Sequence, residues 1–250
     1  MIVKVGCCGF SVKGGMKAYY ECFKLVEVQS TFYKLPRIST VERWRESAPE
    51  DFEFTVKCWQ VITHSSSSPT WRKAKLKLEG DIQAYGMLKP TLENFDAWEK
   101  TRKVCDALRA KVCVVQCPPR FKFSEENISN LKGFFGSIDR SGIEIAWEPR
   151  GDWNLHLEEV GRLCEELDLI HVVDVLRRNP AFIGDTLYFR LHGLNPREYD
   201  YKYKYRDEDL IRLKDKILGF EEEGVNEVYV LFNNVWMAED ALRFIEFLNV

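Results

Sequence analysis

Charged and polar residues suited to anion binding and proton transfer recur at the ends of short apolar runs in this 250-residue sequence. Glu148 and Arg150 are two positions apart, so their side chains would project side by side, as a salt bridge or as a carboxylate base beside an anion clamp. His192 ends another run directly before Gly193, where a backbone turn could bring amide groups toward a phosphate. These residue types predict acid–base chemistry on an anionic substrate.

The candidate catalytic residues lie at or near the carboxyl ends of predicted strands: Glu148, His192, Lys57 and Glu27. The candidate substrate-binding residues lie at similar positions or in the loops that follow: Arg150, Arg190, Gln116, Asn233, His64, Gln29 and Asp174. We expect Arg150, Arg190 and Lys57 to hold the substrate's charge and Glu148 with His192 to move protons, one neutral and one ionised. The sequence lacks His-Glu-x-x-His or similar spacing, so we expect neither a metal nor another cofactor.

Eight runs with strand character would position these side chains: Val3–Gly6, Leu25–Gln29, Phe52–Lys57, Val112–Gln116, Ile143–Glu148, Leu169–Val173, Leu187–His192 and Val228–Asn233. Helical spacing is clearest in five longer segments: Thr91–Ala110, Glu125–Ile138, Leu155–Leu167, Asp207–Phe220 and Ala238–Leu248. A shorter helix is predicted at Val41–Ser47, with Ser39 or Thr40 as its N-cap.

Alternating strands and helices imply a parallel sheet, and eight such units in about 250 residues predict an α/β protein with a (β/α)₈ TIM-type barrel in one domain, residues 1–250. An open doubly wound sheet is the alternative. The segment Gly6-Cys-Cys-Gly9 after the first strand lacks the spacing of a dinucleotide-binding turn, which favours the barrel.

Polar and apolar side chains alternate within several of the predicted strands, as where Val26 and Val28 oppose Glu27 and Gln29. Helices must cover the apolar face of each strand, so the polar rows should point into the barrel. Charges there lose water and must pair with each other or bind a ligand. Near the strand starts we expect a structural ion network, formed by Lys4, Glu53 and Glu144.

Composition limits the function classes. The net charge of −3 gives no global electrostatic case for a polyanion partner. No stretch approaches the roughly 18 apolar residues of a membrane span, and the chain begins directly with a strand. Eight cysteines without a signal peptide predict reduced thiols in a cytoplasmic protein, and we expect no membrane partner. None of the cysteines forms a Cys-x-x-Cys pair, which argues against a zinc site.

Two loop segments carry cations next to aromatic residues. The long segment at about 58–90 contains four serines before Pro69 and basic residues around Trp71, and we expect a lid over the site. The segment Tyr199–Arg206, the Tyr/Lys segment, alternates tyrosines with cations, which suits base stacking and phosphate contact but also an ordinary amphipathic surface.

Several of these segments together resemble the YecE-like family, a domain of unknown function numbered 72. They span nearly the whole chain: Val26–Pro36, Lys57 with Ile62–His64, Gln116–Pro119, Glu148–Trp153, Arg190–Gly193 and Phe232–Asn234. The resemblance implies a barrel fold and adds Tyr33 to the substrate-binding candidates, but it supplies no established activity. The sequence departs from the family pattern at Gln29, where Asn is more usual, and at Gly6-Cys-Cys-Gly9, where Phe10 is the only aromatic residue near a position that usually holds Trp.

The leading hypothesis is a metal-independent enzyme, of hydrolase or lyase/isomerase type, whose substrate is a small anion, phosphorylated or sugar-like. Its site would be a pocket at the carboxyl ends of the strands. The alternative is a nucleic-acid-binding protein or nuclease that grips its partner with the basic and aromatic loops. A third hypothesis is a non-catalytic scaffold.

Overall fold

Eight parallel β-strands follow one another in the computed structural model, which describes residues 1–249. They are β1 (Ile2–Cys7), β2 (Leu25–Val28), β3 (Glu53–Lys57), β4 (Val112–Gln116), β5 (Glu144–Glu148), β6 (Leu169–Val173), β7 (Thr186–Leu191) and β8 (Glu227–Phe232). Their order in the sheet is β1 to β8 in sequence, closed into a barrel. The predicted (β/α)₈ barrel is therefore confirmed, and each strand end lies within one residue of its expected position.

Helices separate most of the strands. They are α1 (Gly15–Cys22), α2 (Ser30–Tyr33), α3 (Ile38–Ser47), α4 (Pro69–Ala74), α5 (Leu92–Leu108), α6 (Glu125–Phe135), α7 (Leu157–Glu166), α8 (Asp207–Gly219) and α9 (Met237–Leu248), with a 3₁₀ helix at Gly151–Leu155. The sequence did not predict α1, α2 or α4, which have eight residues or fewer. The predicted N-cap of α3 is wrong, because the helix already begins at Ile38 and both Ser39 and Thr40 lie inside its first turn.

The chain divides into two compact units. The first unit comprises residues 1–27, 47–53 and 170 onward. In it, β8 pairs in parallel with β1 from Ile2 opposite Glu227, and with β7 from Thr186 opposite Glu227. Lys4 Nζ lies 2.7 Å from Glu227 Oε1 and also pairs with Glu53, which accepts a hydrogen bond from Tyr229. Of the network predicted for Lys4, Glu53 and Glu144, the pairing of Lys4 with Glu53 is observed, with Glu227 and Tyr229 as partners that the sequence did not single out. Glu144 is exposed at the start of β5.

The second unit comprises residues 28–46 and 54–169. In it, β4 pairs in parallel with β3 and with β5, where Gln116 is opposite Glu148. Its core includes Trp147 and Trp153, both fully buried, whose rings meet edge to face at 5.2 Å between centroids. This packing supports the end of β5, from which Glu148 and Arg150 project.

The long segment at about 58–90 folds back onto its own first residues. Leu88 N–H donates to the carbonyl of Ile62 at 2.9 Å, and Met87 N–H donates to that of Thr63 at 3.2 Å. Asn94 on α5 holds the returning chain, since its side chain bonds Gly86 N at 3.0 Å, Gly86 O at 3.1 Å and Lys89 O at 2.9 Å. The lid function of this segment stays a prediction, but its two ends are joined by backbone pairing.

Two whole-chain expectations concern cysteines and membrane helices. Within residues 1–249 all eight cysteines are free, and seven of them are buried whereas Cys22 is exposed. None of the helices in this range combines the length and the apolar character that a membrane crossing needs.

We predict that Asn94→Ala lowers the free energy of unfolding by about 3 kcal/mol, because three buried backbone groups lose their partner. Denaturant unfolding measures this loss, and hydrogen exchange should quicken at Gly86, Met87 and Leu88. Asp96→Ala on the exposed face of the same helix removes only a surface ion pair and should cost less than about 1 kcal/mol. Equal effects of the two substitutions would contradict the anchoring role of Asn94.

Candidate functional site

Four ionisable side chains of the second unit lie at or after strand ends and are almost completely buried: Lys57, His64, Glu148 and Arg150, the His64 cluster. Lys57 is the last residue of β3 and Glu148 is the last residue of β5, whereas Arg150 follows β5 by two positions. Arg150 Nε donates to Glu148 Oε1 at 2.6 Å, so the predicted neighbouring pair forms a direct ion pair. The exposed fraction of each residue is 3% for Glu148 and 8% for Arg150.

His64 is held by its backbone and by a neighbouring hydroxyl. Its N–H donates to the carbonyl of Gln60 at 2.8 Å, and Thr63 Oγ1 lies 2.8 Å from His64 Nδ1. The ring meets the Phe32 ring edge to face at 5.0 Å between centroids. Burial, with the charges of Lys57 and Arg150, lowers the pKa of His64 to about 3. The imidazole is therefore neutral at physiological pH.

Lys57 is positioned by α2, the short helix that follows β2. Its ammonium nitrogen lies 4.3 Å from the centroid of the Phe32 ring, a cation–π contact. Thr31 donates to the carbonyls of Lys57 at 2.6 Å and of Val28 at 2.8 Å, so its hydroxyl joins the ends of both strands. Sequence reasoning did not assign roles to Thr31 and Phe32, although both lie in the segment that carries the family resemblance.

The other three candidates in the second unit, Gln116, Gln29 and Tyr33, differ in how far they are buried. Gln116, 7% exposed at the end of β4, donates from Nε2 to the carbonyl of Cys117 at 3.1 Å. Gln29 is half-buried and precedes α2. Tyr33 is 38% exposed, and Lys73 Nζ lies 5.5 Å from its ring centroid. Tyr33 thus faces the basic part of the 58–90 segment.

Glu27 and Arg190 form a fully buried ion pair in the first unit. Arg190 Nε donates to Glu27 Oε2 at 3.0 Å and Nη2 donates to Oε1 at 3.1 Å. Tyr188 adds its hydroxyl at 3.0 Å, and the Cys8 thiol lies 3.5 Å from the same oxygen, Oε2. The two-pronged geometry and the added donors stabilise the carboxylate in a site without water.

His192 and Asp174 are joined at the ends of β7 and β6. Asp174 Oδ2 accepts from His192 N–H at 3.0 Å, and Oδ1 accepts from Leu176 N–H at 3.2 Å. Burial raises the pKa of Asp174 to about 6. The His192 ring lies 5.2 Å from the Tyr199 ring and 5.8 Å from that of Tyr201, so the Tyr/Lys segment packs against it.

The turn after His192 does not offer its amide to a phosphate, contrary to the sequence expectation. Gly193 N–H donates to the Tyr205 hydroxyl at 2.7 Å, and Arg177 binds the Gly193 carbonyl. Gly193 has a φ of +100° and no room for a Cβ against Tyr203, so the close approach of the Tyr/Lys segment requires glycine here. The Gly193 N–H therefore already has an acceptor in the Tyr/Lys segment and helps to hold that segment in place.

The link between β8 and α9 holds one further candidate. Asn233 is half-buried, and its N–H donates to the carbonyl of Leu191 at 2.8 Å. Its neighbour Asn234, which was not a candidate, donates to Asp240 and to the carbonyl of Tyr203, both at 2.7 Å. Asn234 therefore has a bracing role, whereas Asn233 stays a substrate-binding prediction.

The family described as "Protein of unknown function DUF72" matches residues 9–250. The chain belongs to this family. The resemblance to the YecE-like family is confirmed, because the two names denote the same family.

Relatives of this DUF72 protein are similar over most of their length. The UPF0759 protein YunF of Bacillus subtilis is 23% identical, over 88% of this chain and 80% of its own. A DUF72 family protein of Enterococcus faecalis is 22% identical, with a TM-score of 0.77 over 100% of this chain and 98% of its own. One of Thermotoga maritima is 25% identical, with a TM-score of 0.73 over the whole of both chains. These structures share the barrel fold with this DUF72 protein.

The described part of this DUF72 protein contains no group of three or more His, Cys, Asp or Glu residues placed to hold one metal ion. The chemistry that can be derived from its own residues is charge recognition and proton transfer. In the second unit two cations, one neutral imidazole and one carboxylate come together, and in the first unit His192 lies beside a carboxyl group of raised pKa.

We predict that the His64 imidazole stays neutral down to about pH 4, because burial and two cations lower its pKa to about 3. Imidazole nitrogen NMR measures this directly. In the Lys57→Met variant the titration midpoint of His64 should rise but stay below pH 6.5, since burial is the largest cause of the lowered pKa. Lys111 is exposed, so the Lys111→Met variant serves as the control and should leave the His64 midpoint unchanged.

The same shift makes stability depend on pH. Between pH 6.5 and 3 the unfolded chain binds a proton at this residue that the folded chain does not bind, so His64 lowers stability as the pH falls through this window. A His64 titration midpoint near 6.5 in the folded protein would contradict the assignment.

Proposed function

We propose that this DUF72 protein is an enzyme that binds a small anionic substrate, phosphorylated or sugar-like, at the His64 cluster. The observation that carries the proposal is the meeting of these four side chains, each almost completely buried, at and after the ends of β3 and β5. The charges of Lys57 and Arg150 both act on His64, and Arg150 pairs with Glu148. Two cations near one imidazole would attract an anionic group of a substrate.

The cluster supplies distinct roles for its members. Lys57, resting on the Phe32 ring, would hold the anionic group, and Arg150 would share its guanidinium between Glu148 and the substrate. Glu148 would remove a proton from the substrate as general base. His64, neutral and oriented by Thr63, would exchange a hydrogen bond with the reacting oxygen. These roles fit a reaction of hydrolase or of lyase/isomerase type.

The candidates of the first unit take different roles in this proposal. Glu27 and Arg190 are fully buried and bind each other, so we assign them to holding the ends of their strands in place. His192 is the second proton-transfer group, because Asp174 fixes its backbone and the tyrosines of the Tyr/Lys segment enclose its ring. Substitution of Glu27, Arg190 or His192 tests these two assignments in the same way as substitution within the His64 cluster.

Nucleic-acid binding is the second candidate function, favoured by the exposed cations of the Tyr/Lys segment. Of its tyrosines Tyr201 is the most exposed, at 38%, since Tyr205 is buried, Tyr203 donates to Asp209 and Tyr199 packs on His192. The Tyr201 ring also lies 5.8 Å from the His192 ring, so the segment offers little ring surface for base stacking, which favours the small-substrate proposal. Affinity for RNA or DNA that falls steeply with added salt would instead support the second candidate.

We predict that Lys57→Met weakens the binding of inorganic phosphate by roughly tenfold to 100-fold, as expected for a lost charge-assisted hydrogen bond. Isothermal titration calorimetry measures the affinity, and thermal denaturation confirms that the variant folds. Lys111→Met removes an exposed lysine of the same unit and should bind phosphate as the natural protein does. Unchanged affinity in Lys57→Met would remove phosphate from the proposed site.

We also predict that Glu148→Gln slows turnover by roughly 10²- to 10⁴-fold, the usual contribution of a general base. The assay incubates the protein with sugar phosphates in deuterated water. Mass spectrometry detects deuterium uptake, and phosphorus NMR detects released phosphate. Glu125→Gln on the exposed start of α6 is the matched control. Full turnover in Glu148→Gln would exclude Glu148 as the base.

A further inference from the structure

A cavity of about 680 Å³ lies within the second unit, and none of the His64 cluster residues lines it. Four stretches of chain line it: the link between α2 and α3, the residue Trp59, the chain that leaves α4, and the outer face of α5. The lining residues are Lys34, Leu35, Pro36, Arg37, Ile38, Trp59, Lys75, Leu76, Lys77, Lys100, Lys103 and Val104. Its volume lies in the range of small-molecule sites.

Positive charge dominates the rim of this cavity, the Lys75 cavity. Six of its twelve lining residues are lysine or arginine, and none of the lining residues in the described chain is acidic. Lys100 pairs with Asp96 at 2.6 Å and Lys103 approaches Glu99 at 3.7 Å. Over residues 1–249, the side chains of Lys34, Arg37, Lys75 and Lys77 have no ion-pair partner. Four such cations around one concavity repel each other and attract a ligand with several negative charges.

The floor of the Lys75 cavity is apolar. Leu35, Pro36, Ile38 and Leu76 contribute aliphatic surface beside the indole of Trp59. Trp59 is only 8% exposed, and its Nε1–H is buried with no acceptor among the residues that the structure describes. A buried donor of this kind is costly unless an acceptor reaches it, so the floor suits a flat ligand group that carries an acceptor.

We propose that the Lys75 cavity binds a nucleoside di- or triphosphate. The phosphate groups would lie among Lys34, Arg37, Lys75 and Lys77, and the base would lie on the apolar floor, with one of its acceptors toward Trp59 Nε1. The charge of such a ligand matches the uncompensated cations, and a purine or pyrimidine matches the combination of flat shape and hydrogen-bond acceptors. The site does not depend on the His64 cluster, whose residues do not line it.

The proposal is tested by calorimetric titration of the full chain at low salt with ATP, with inorganic tripolyphosphate and with adenosine. We expect ATP to bind about tenfold or more tightly than either part alone, since it uses both the rim and the floor. The double substitution Lys75→Glu with Lys77→Glu should raise the Kd for ATP by about tenfold or more, because two attractions become repulsions.

Three further variants separate this site from general charge effects. Lys111→Glu with Lys122→Glu reverses two exposed lysines elsewhere in the same unit and should change the Kd for ATP by less than about twofold. Lys57→Met should leave ATP binding unchanged, which distinguishes the cavity from the His64 cluster. Trp59→Phe keeps the apolar floor but removes the donor, and should weaken ATP binding by roughly threefold to tenfold without affecting tripolyphosphate.

Several outcomes would overturn the proposal. If millimolar ATP gives no heat of binding, or if ATP and tripolyphosphate bind with equal affinity, a nucleotide is excluded as the ligand of the Lys75 cavity. Loss of ATP binding in Lys57→Met would move the ligand to the His64 cluster. A single-stranded RNA oligonucleotide that binds more tightly than ATP, and loses affinity in the Lys75 and Lys77 double variant, would reassign the surface to nucleic acid.

Discussion

Compensation of buried charge is the constraint on which this barrel depends. Helices cover the outer face of a parallel strand, so the alternate side chains turn inward, where charge is costly without a partner. In the first unit Glu27 meets this requirement with two hydrogen bonds from Arg190 and one from Tyr188. Removal of either charged partner would leave the other buried without water, a loss of several kcal/mol. This pair therefore links β2 with β7.

The second unit meets the same constraint differently, and the difference is what makes it a candidate site. Arg150 pairs with Glu148, Lys57 contacts the face of the Phe32 ring, and His64 is neutral, so it adds no third cation. Under the proposed function, an anion bound there would stabilise the folded protein. The Lys75 cavity also brings several cations together, but it does so at the surface, where solvent moderates the repulsion between them.

Both sites depend on how the 58–90 segment is held. Gly86 comes so close to the His64 carbonyl that a Cβ would lie 2.5 Å from its oxygen, and Asn94 binds the backbone on either side of that contact. The turn thus fixes the backbone of His64, while α4 and the chain after it carry Lys75 and Lys77 to the cavity. A segment that the sequence indicates only as long and polar is therefore a structural link between two groups of charges.

The sequence by itself determined the strands, the closed barrel and the rule that polar residues gather at strand ends, because alternation and length are local properties of the chain. It also placed Glu148 beside Arg150, as a salt bridge or as a base beside an anion clamp, because the two residues are two positions apart at the end of β5. It missed Thr31, Phe32 and Asn94 and assigned a phosphate-binding amide to Gly193, since those outcomes depend on how the loops after the strands fold. Only the tertiary structure decided which charges are compensated, because the pairing of Glu27 with Arg190 and the neutrality of His64 depend on distances and burial that no local pattern encodes.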